Sequence, residues 1–324
     1  MNNKLLLSIS PHIYKKESTA QIMWTVFLCL LPSGVAGIFI FGLRALWIIL
    51  ACVTIAISTE TIILALRHQR ITITDGSAVL TGLLLAYNLP SSLPIWMACV
   101  GSFFAIAIAK QAFGGLGKNI FNPALAGRAF LLIAWPKYMT TFNKPFVYTD
   151  GVTCATPLYL LKEGKAETIH QMGINYLDLF LGNRGGCIGE VCIALLLVGA
   201  LFLLWRKIIS WHIPFSFIST LGLLTWLWGG SQIGQADVLF SILAGGVVLG
   251  AFFMATDYVT SPLTRNGQLI FGFGCGLLTF VIRRWGGYPE GVSFAILMMN
   301  AIAPLLDRFC RLRIYGHEKI IKRI

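Results

Sequence analysis

The chain has 324 residues, 56% of them hydrophobic and 12% charged, with 25 Lys and Arg against 13 Asp and Glu for a formal net charge of +12. Soluble domains carry about 25% charged residues, so this composition excludes an ordinary soluble globule and points to an integral membrane protein. The basic residues cluster beside apolar runs, as membrane topology requires, and nucleic acid is excluded as a partner.

Residues 1–22 form a polar leader with Lys4, Lys15, Lys16 and Glu17. No small-residue cleavage site follows a short apolar core, so a removable signal peptide is not expected. Apolar runs then occupy 23–43, 45–66, 76–89, 93–109, 122–135, 187–205, 211–228, 238–255, 268–281 and 291–306. Eight of these approach or reach the ~20 residues that span a bilayer core, and the short runs 76–89 and 122–135 bring the number of candidate spans to about ten. The expected fold is all-α, with a first membrane repeat over 23–136, a polar loop over 137–186, a second repeat over 187–309 and a basic tail over 310–324. Placing both termini in the cytoplasm puts Arg67, Arg70, Lys110, Lys118, Arg206, Lys207, Arg265 and the tail inside, and the 137–186 loop outside. Arg283 and Arg284 break this pattern.

A shift of 172 residues brings Pro262 onto Pro90 and Gly286-Gly287 onto Gly114-Gly115. Two five-helix halves would enter the membrane from opposite sides, giving inverted repeats with a shared site near the middle. Interrupted helices are tolerated at depth only where their freed backbone groups face protein or a cavity. Segments 76–89, 122–135, 256–262 and 286–291 are where such a cavity is expected.

Within the outer loop, Asp150-Gly151-Val152-Thr153-Cys154-Ala155-Thr156-Pro157-Leu158 combines an acidic, turn-prone start, two hydroxyls three residues apart and a proline. Such a segment is expected to hold Thr156 exposed, with its hydroxyl available for modification. Upstream, the glycine-rich run from Gly114 leads to Asn122-Pro123, a strong helix start, and Arg128 then lies inside an apolar segment. A charge at that depth is expensive and usually functional. It is expected to hold a polar or anionic group of a ligand or to pair with Glu60 or Glu190; snorkelling to an interface is the bland alternative. Asp75 and Asp257 flank interrupted segments, as cavity carboxylates or as helix caps. The eight cysteines are scattered without a Cys-x-x-Cys pair, so no iron–sulfur or zinc site is expected. All five histidines fall in connections or at span ends, which argues against haem between paired histidines. A Cys154–Cys187 disulfide stays open.

Asp150 to Thr156 resembles the Asp-x-x-Ser/Thr-Gly-Ala-Ser/Thr motif at which a flavin transferase attaches FMN through a phosphoester. That motif belongs to membrane subunits of the Rnf and sodium-pumping NADH:quinone oxidoreductase complexes. Further resemblance runs through Gly114 to Arg128, Thr74 to Ala78 before Thr81-Gly82, Phe253 to Asp257 before Ser261-Pro262, and Tyr288 to Ala295 before Asn300. On these residues the chain resembles the RnfD/RsxD family. The resemblance implies covalent FMN on Thr156, with Asp150, Thr153, Ala155, Arg128 and Asn122 as cofactor-binding residues. A second, non-covalent flavin such as riboflavin could occupy the central cavity. It also implies a complex with the A, B, C, E and G subunits of the Rnf/Rsx type in the bacterial inner membrane, coupling electron transfer to ion movement or keeping a redox-sensing regulator reduced. Cys154 stands where the family has glycine, a more restrictive residue for the turn. An inverted-repeat channel or transporter is the rival reading. A lipid-acting enzyme would want a carboxylate or histidine cluster at one interface, and the sequence shows none.

Overall fold

The computed structural model describes residues 18–69, 73–147, 153–154, 156–162, 175–230, 236–288 and 290–310. Asp150 and Ala155 lie outside the described residues, and of Thr153 only the backbone is described.

Helix α1 (Thr19–Phe41) starts at Ser18, whose hydroxyl accepts from the Gln21 amide at 3.3 Å while the Gln21 side chain accepts from the Ser18 amide at 3.0 Å. This reciprocal cap satisfies two amides that a helix start otherwise leaves open. Gly42, at φ 79°, reverses the chain into α2 (Leu43–Leu66). Asp75 then caps α3 (Ser77–Tyr87), its carboxylate accepting from the Ser77 amide at 2.9 Å and hydroxyl at 2.8 Å. Pro90 cannot continue that helix.

Helix α4 (Ile95–Phe104) runs into a widened π-turn over Ala105–Gln111, and Asn122 and Pro123 open α5 (Pro123–Ala134). The loop that follows holds α6 (Pro136–Met139), strands β1 (Phe142–Asn143) and β2 (Thr153–Cys154), α7 (Pro157–Lys162) and α8 (Tyr176–Leu181). The strands pair antiparallel, Phe142 opposite Cys154 and Asn143 opposite Thr153.

In the second half come α9 (Ile193–Trp205), α10 (His212–Trp228), α11 (Val238–Leu243), α12 (Val247–Leu249) with a π-turn over Gly250–Met254, α13 (Arg265–Trp285) and α14 (Val292–Phe309). Two expected spans are broken. Residues 187–192 are not helical, and the run 238–255 is interrupted between α11 and α12. Interruption was expected in kind, but these two breaks were not among the places named for it.

Among the described residues, four helices, α1, α2, α13 and α14, are long and apolar enough to cross a membrane. Their outward faces carry exposed large apolar side chains, among them Phe39, Trp47, Ile62, Phe273 and Phe309. That is the pattern of a helix bundle solvated by lipid rather than water.

The buried breaks satisfy one another. The amides of Ile188 and Gly189 donate to the Leu89 and Tyr87 carbonyls, each at 3.0 Å, so the stretch before α9 covers the end of α3. Gly189 is required there because an added Cβ would lie 2.1 Å from the Tyr87 ring. Arg184 donates to the Leu243 carbonyl at 2.7 Å, and Arg283 to the Ser241 and Ala244 carbonyls at 2.6 and 3.0 Å. Two arginines thus hold the carbonyls that the break after α11 sets free. Arg283 departs from the charge rule of topology because it is a part-buried donor to the backbone, not a marker of the aqueous side.

Candidate functional site

Helix α5 places two cavities. Around its N-terminus, Lys110, Asn119, Asn122 and Asp257 help line a cavity of about 80 Å³. Asn122 is occupied there as a helix cap, accepting from the Ala124 amide at 3.1 Å and donating to the Met254 carbonyl at 3.2 Å. Farther along α5, Arg128 and Leu132 face a second cavity of about 310 Å³, with Phe142, Cys154, Thr156, Tyr159, Tyr288, Glu290 and Phe294 in its wall. The structure therefore brings Thr156 and Arg128 to one cavity and leaves Asn122 in the other.

Thr156 is 5% exposed, not a solvent-facing turn residue. Its hydroxyl and carbonyl oxygens accept from the Tyr159 amide at 3.3 and 3.0 Å, which fixes the residue at the start of α7. The far end of α7 is held by Lys162, whose ammonium donates to the Tyr288 carbonyl at 2.9 Å and to that of Gly286. Partial burial pulls the Lys162 ammonium below the ordinary lysine range. Cys154, beside Thr156 in the wall, is a free thiol within 3.5 Å of the Asn143 carbonyl, and burial pushes it above the ordinary thiol range. Cys187 is also free. The structure contains no bond between Cys154 and Cys187.

Arg128 does not snorkel. Its side chain is 7% exposed and donates to Asn88 Oδ1 at 3.1 Å, to Ser293 Oγ at 2.6 Å and to the Glu290 carboxylate. Its ionic partner is Glu290, not Glu60 or Glu190. Glu60 pairs with Lys110 at 2.8 Å, and Lys110 also donates to Ser77 Oγ at 2.7 Å. The π-turn makes this possible by carrying Lys110 and Gln111 together toward Glu60, to which Gln111 donates at 3.0 Å. Of the two flanking aspartates, Asp75 is a helix cap, and Asp257, accepting from Thr260 Oγ1 at 3.1 Å, lines the smaller cavity.

Behind Arg128 lies a charged cluster that sequence reasoning did not assemble. Glu190 accepts from the Cys187 amide at 3.2 Å, Arg184 donates to the Glu190 carbonyl at 3.2 Å, and Arg283 interacts electrostatically with Glu190 and Glu290. Cys187, Glu190 and Glu290 bring ligand-type atoms within 4.8 Å of one another, a spacing that metal sites also use. The Arg128 guanidinium, however, lies 3.8 Å from Cys187 Sγ and on Glu290. Three arginines face two glutamates, so the buried cluster carries one net positive charge and favours an anion over a cation. Arg128 and Glu290 are 162 residues apart in sequence, so no local pattern joins them.

The match to known proteins extends over nearly the whole chain. The model of the NQR2, RnfD, RnfE family matches residues 6–316. The D subunit of the Na(+)-translocating ferredoxin:NAD(+) oxidoreductase complex of Acetobacterium woodii is 50% identical over 320 residues, covering 98% of this chain and 97% of the relative. The D subunit of the proton-translocating ferredoxin:NAD(+) oxidoreductase complex of Clostridium ljungdahlii is 50% identical over 313 residues, covering 95% of each. The D subunit of an ion-translocating oxidoreductase complex of Stutzerimonas stutzeri is 42% identical over 333 residues, with 94% of each covered. With its interrupted helices, its Thr156 cavity and these relatives, the chain belongs to the NQR2, RnfD, RnfE family as a protein of the RnfD/RsxD type.

Proposed function

We propose that the protein is the flavin-carrying D subunit of an ion-translocating oxidoreductase complex, bearing FMN as a phosphoester on Thr156. The observation that carries this reading is the position of Thr156 and Arg128 in the wall of one cavity. The esterified phosphate keeps one negative charge, which matches the one unbalanced positive charge of the arginine cluster behind that wall. Arg128 reaches it as a directional donor suited to phosphate. Tyr288 and Phe294, stacked with centroids 5.6 Å apart, together with Phe142 and Tyr159 offer flat apolar surface to a fused ring. The volume of about 310 Å³ sits at the lower end of the ~300–1,000 Å³ common to small-molecule sites.

When bound, FMN supplies the electron-accepting chemistry, and the protein supplies position and field. Thr156 tethers it, Arg128 orients it, and the aromatic wall limits water. The second, non-covalent flavin falls in this reading to the smaller cavity, whose polar wall is Lys110, Asn119, Asn122 and Asp257. At about 80 Å³ that cavity must widen by side-chain rotation to admit one.

The reading also takes the two halves as inverted repeats. Equivalent elements make equivalent contacts: α2 packs on α4 as α10 does on α13, and α4 on α5 as α13 does on α14. The elements α1 and α9 touch each other, as do α5 and α14, which is what a two-fold relation between the halves requires at its axis. With both termini in the cytoplasm, Thr156 faces the periplasm of a bacterial inner membrane. Electrons reach and leave the flavin through partner subunits, and either ion coupling or reduction of a redox-sensing regulator draws on that flow. The names of the relatives support the ion-translocating role.

Denaturing gel electrophoresis of protein co-expressed with a flavin transferase tests the tether. A fluorescent band that is lost in Thr156→Val, with an FMN mass on the peptide over residues 148–162, is the expected result. A dark band from wild-type protein refutes the reading and favours a channel or transporter. Flavin extracted by acid from Thr156→Val reports the non-covalent site.

A further inference from the structure

We infer that Glu190, backed by Glu290, is the carboxylate that takes up a proton when a flavin in the Thr156 cavity is reduced; this rests on the flavin reading above. Glu190 is 2% exposed. One of its oxygens accepts from the Cys187 amide at 3.2 Å, while the other, Oε2, is buried without a hydrogen-bond partner. Space beside Oε2 is kept by Gly246, where an added Cβ would come within 2.7 Å. A carboxylate oxygen held dry and unpartnered is a place where a proton gains a bond.

Glu290 brings a second carboxylate to within 4.8 Å and is itself part of the cavity wall. Two carboxylates this close repel each other, and the neighbouring arginines offset that repulsion while the flavin is oxidised. Charged and titratable groups face Glu190 from each neighbouring element: Arg128 of α5, Arg283 of α13, Glu290 before α14, and Arg184 and Cys187 of its own connection. Tyr87 of α3 lies against the adjacent Gly189, and its hydroxyl is engaged by the Leu30 carbonyl at 2.8 Å.

The arginines set the coupling. With the flavin oxidised, Arg128 compensates Glu290, and the cluster compensates Glu190. An added electron places a negative charge in the same poorly screened volume, and Arg128 then serves the flavin as well as Glu290. The least compensated carboxylate is Glu190. The step balances as one electron from a one-electron donor protein of the complex and one proton from a hydronium ion of the bulk solvent, whose O–H bond breaks to leave water as one O–H bond forms on Glu190. The net charge of the cluster with its flavin is unchanged, and reoxidation returns the proton to water.

Electrode-poised infrared difference spectroscopy on the intact flavinylated protein tests the inference without an activity assay. Reduction is expected to produce a carbonyl band of a protonated carboxylic acid that shifts in heavy water and is absent from Glu190→Gln. Gly246→Ala, which retains the carboxylate but places a methyl against Oε2, is expected to move the band, and it carries the test if Glu190→Gln does not insert. A band that persists unchanged in both variants, or none in the parent, overturns the inference. The gel separates the two levels: a fluorescent parent with a silent carboxyl region refutes only the proton site, whereas a dark parent refutes the flavin reading and this inference with it.

Discussion

Replacing Arg128 by Leu tests whether the buried pair with Glu290 is a coupled unit. The substitution removes a guanidinium that is 7% exposed from a carboxylate that is 12% exposed, and it orphans acceptors on Asn88 and Ser293. Breaking a buried pair by deleting one partner costs ~3–5 kcal/mol, because the other charge stays behind. Glu290→Gln leaves Arg128 with Asn88 and Ser293 as partners and is expected to cost less, ~2 kcal/mol. In the double variant neither charge remains buried, so its loss should fall short of the summed single losses by ~2–3 kcal/mol. Thermal unfolding in detergent, followed by the fluorescence of the nine tryptophans, reads this as a fall of roughly 10 °C for Arg128→Leu. Partial recovery is expected in the double variant. Additivity of the two single effects within ~0.5 kcal/mol would refute the coupling.

Gly189→Ala is expected to destabilise by ~1–3 kcal/mol or more, since the new Cβ meets the Tyr87 ring at 2.1 Å and neither buried segment can yield; an unchanged unfolding midpoint would contradict this. Glu60→Gln leaves Lys110 buried without its carboxylate and should lower stability by ~3–5 kcal/mol, with Lys110→Met in the same chain restoring most of it. The Cys154 thiol, raised by burial, favours the protonated form in the folded state. Maleimide labelling should therefore be slow near neutral pH and should accelerate at a higher pH than for an exposed thiol, while the stability contributed by the neutral thiol fades as pH rises through its folded-state value. Labelling at the rate of an exposed thiol at neutral pH would count against the buried placement.

The sequence carried the helices further than the site. Capping and breaking signals were enough to bound α3 and α5 closely, because Asp75, Pro90, Asn122 and Pro123 act on the residues next to them. The breaks at 187–192 and 244–246 escaped because each lies inside a long apolar run, and a lone Glu190 or a Gly-Gly pair does not by itself end a helix in such a pattern, which reports burial and not hydrogen bonding. Their cause is distant: Gly189 sits on Tyr87, and the carbonyls near Ala244 are taken by Arg184 and Arg283. Likewise the turn pattern led to an expectation of exposure at Thr156, since turn chemistry is local, whereas the buried Thr156 shares a cavity wall with the distant Phe142, Tyr288, Glu290 and Phe294.

Arg283 shows why partner choice was the least legible feature. A topology count treats each basic residue as a charge seeking the cytoplasm, and on that count Arg283 is an error. In the fold it bonds carbonyls 39 and 42 residues away, and that role requires α11 to stop where it does. The same broken backbone that needs Arg184 and Arg283 as donors accumulates positive charge in the protein interior. Glu190 and Glu290 offset only part of it. A preference for an anion at the neighbouring cavity thus follows from how the interrupted helix is stabilised, which would tie a cofactor proposed there to the architecture rather than to the Thr156 motif alone.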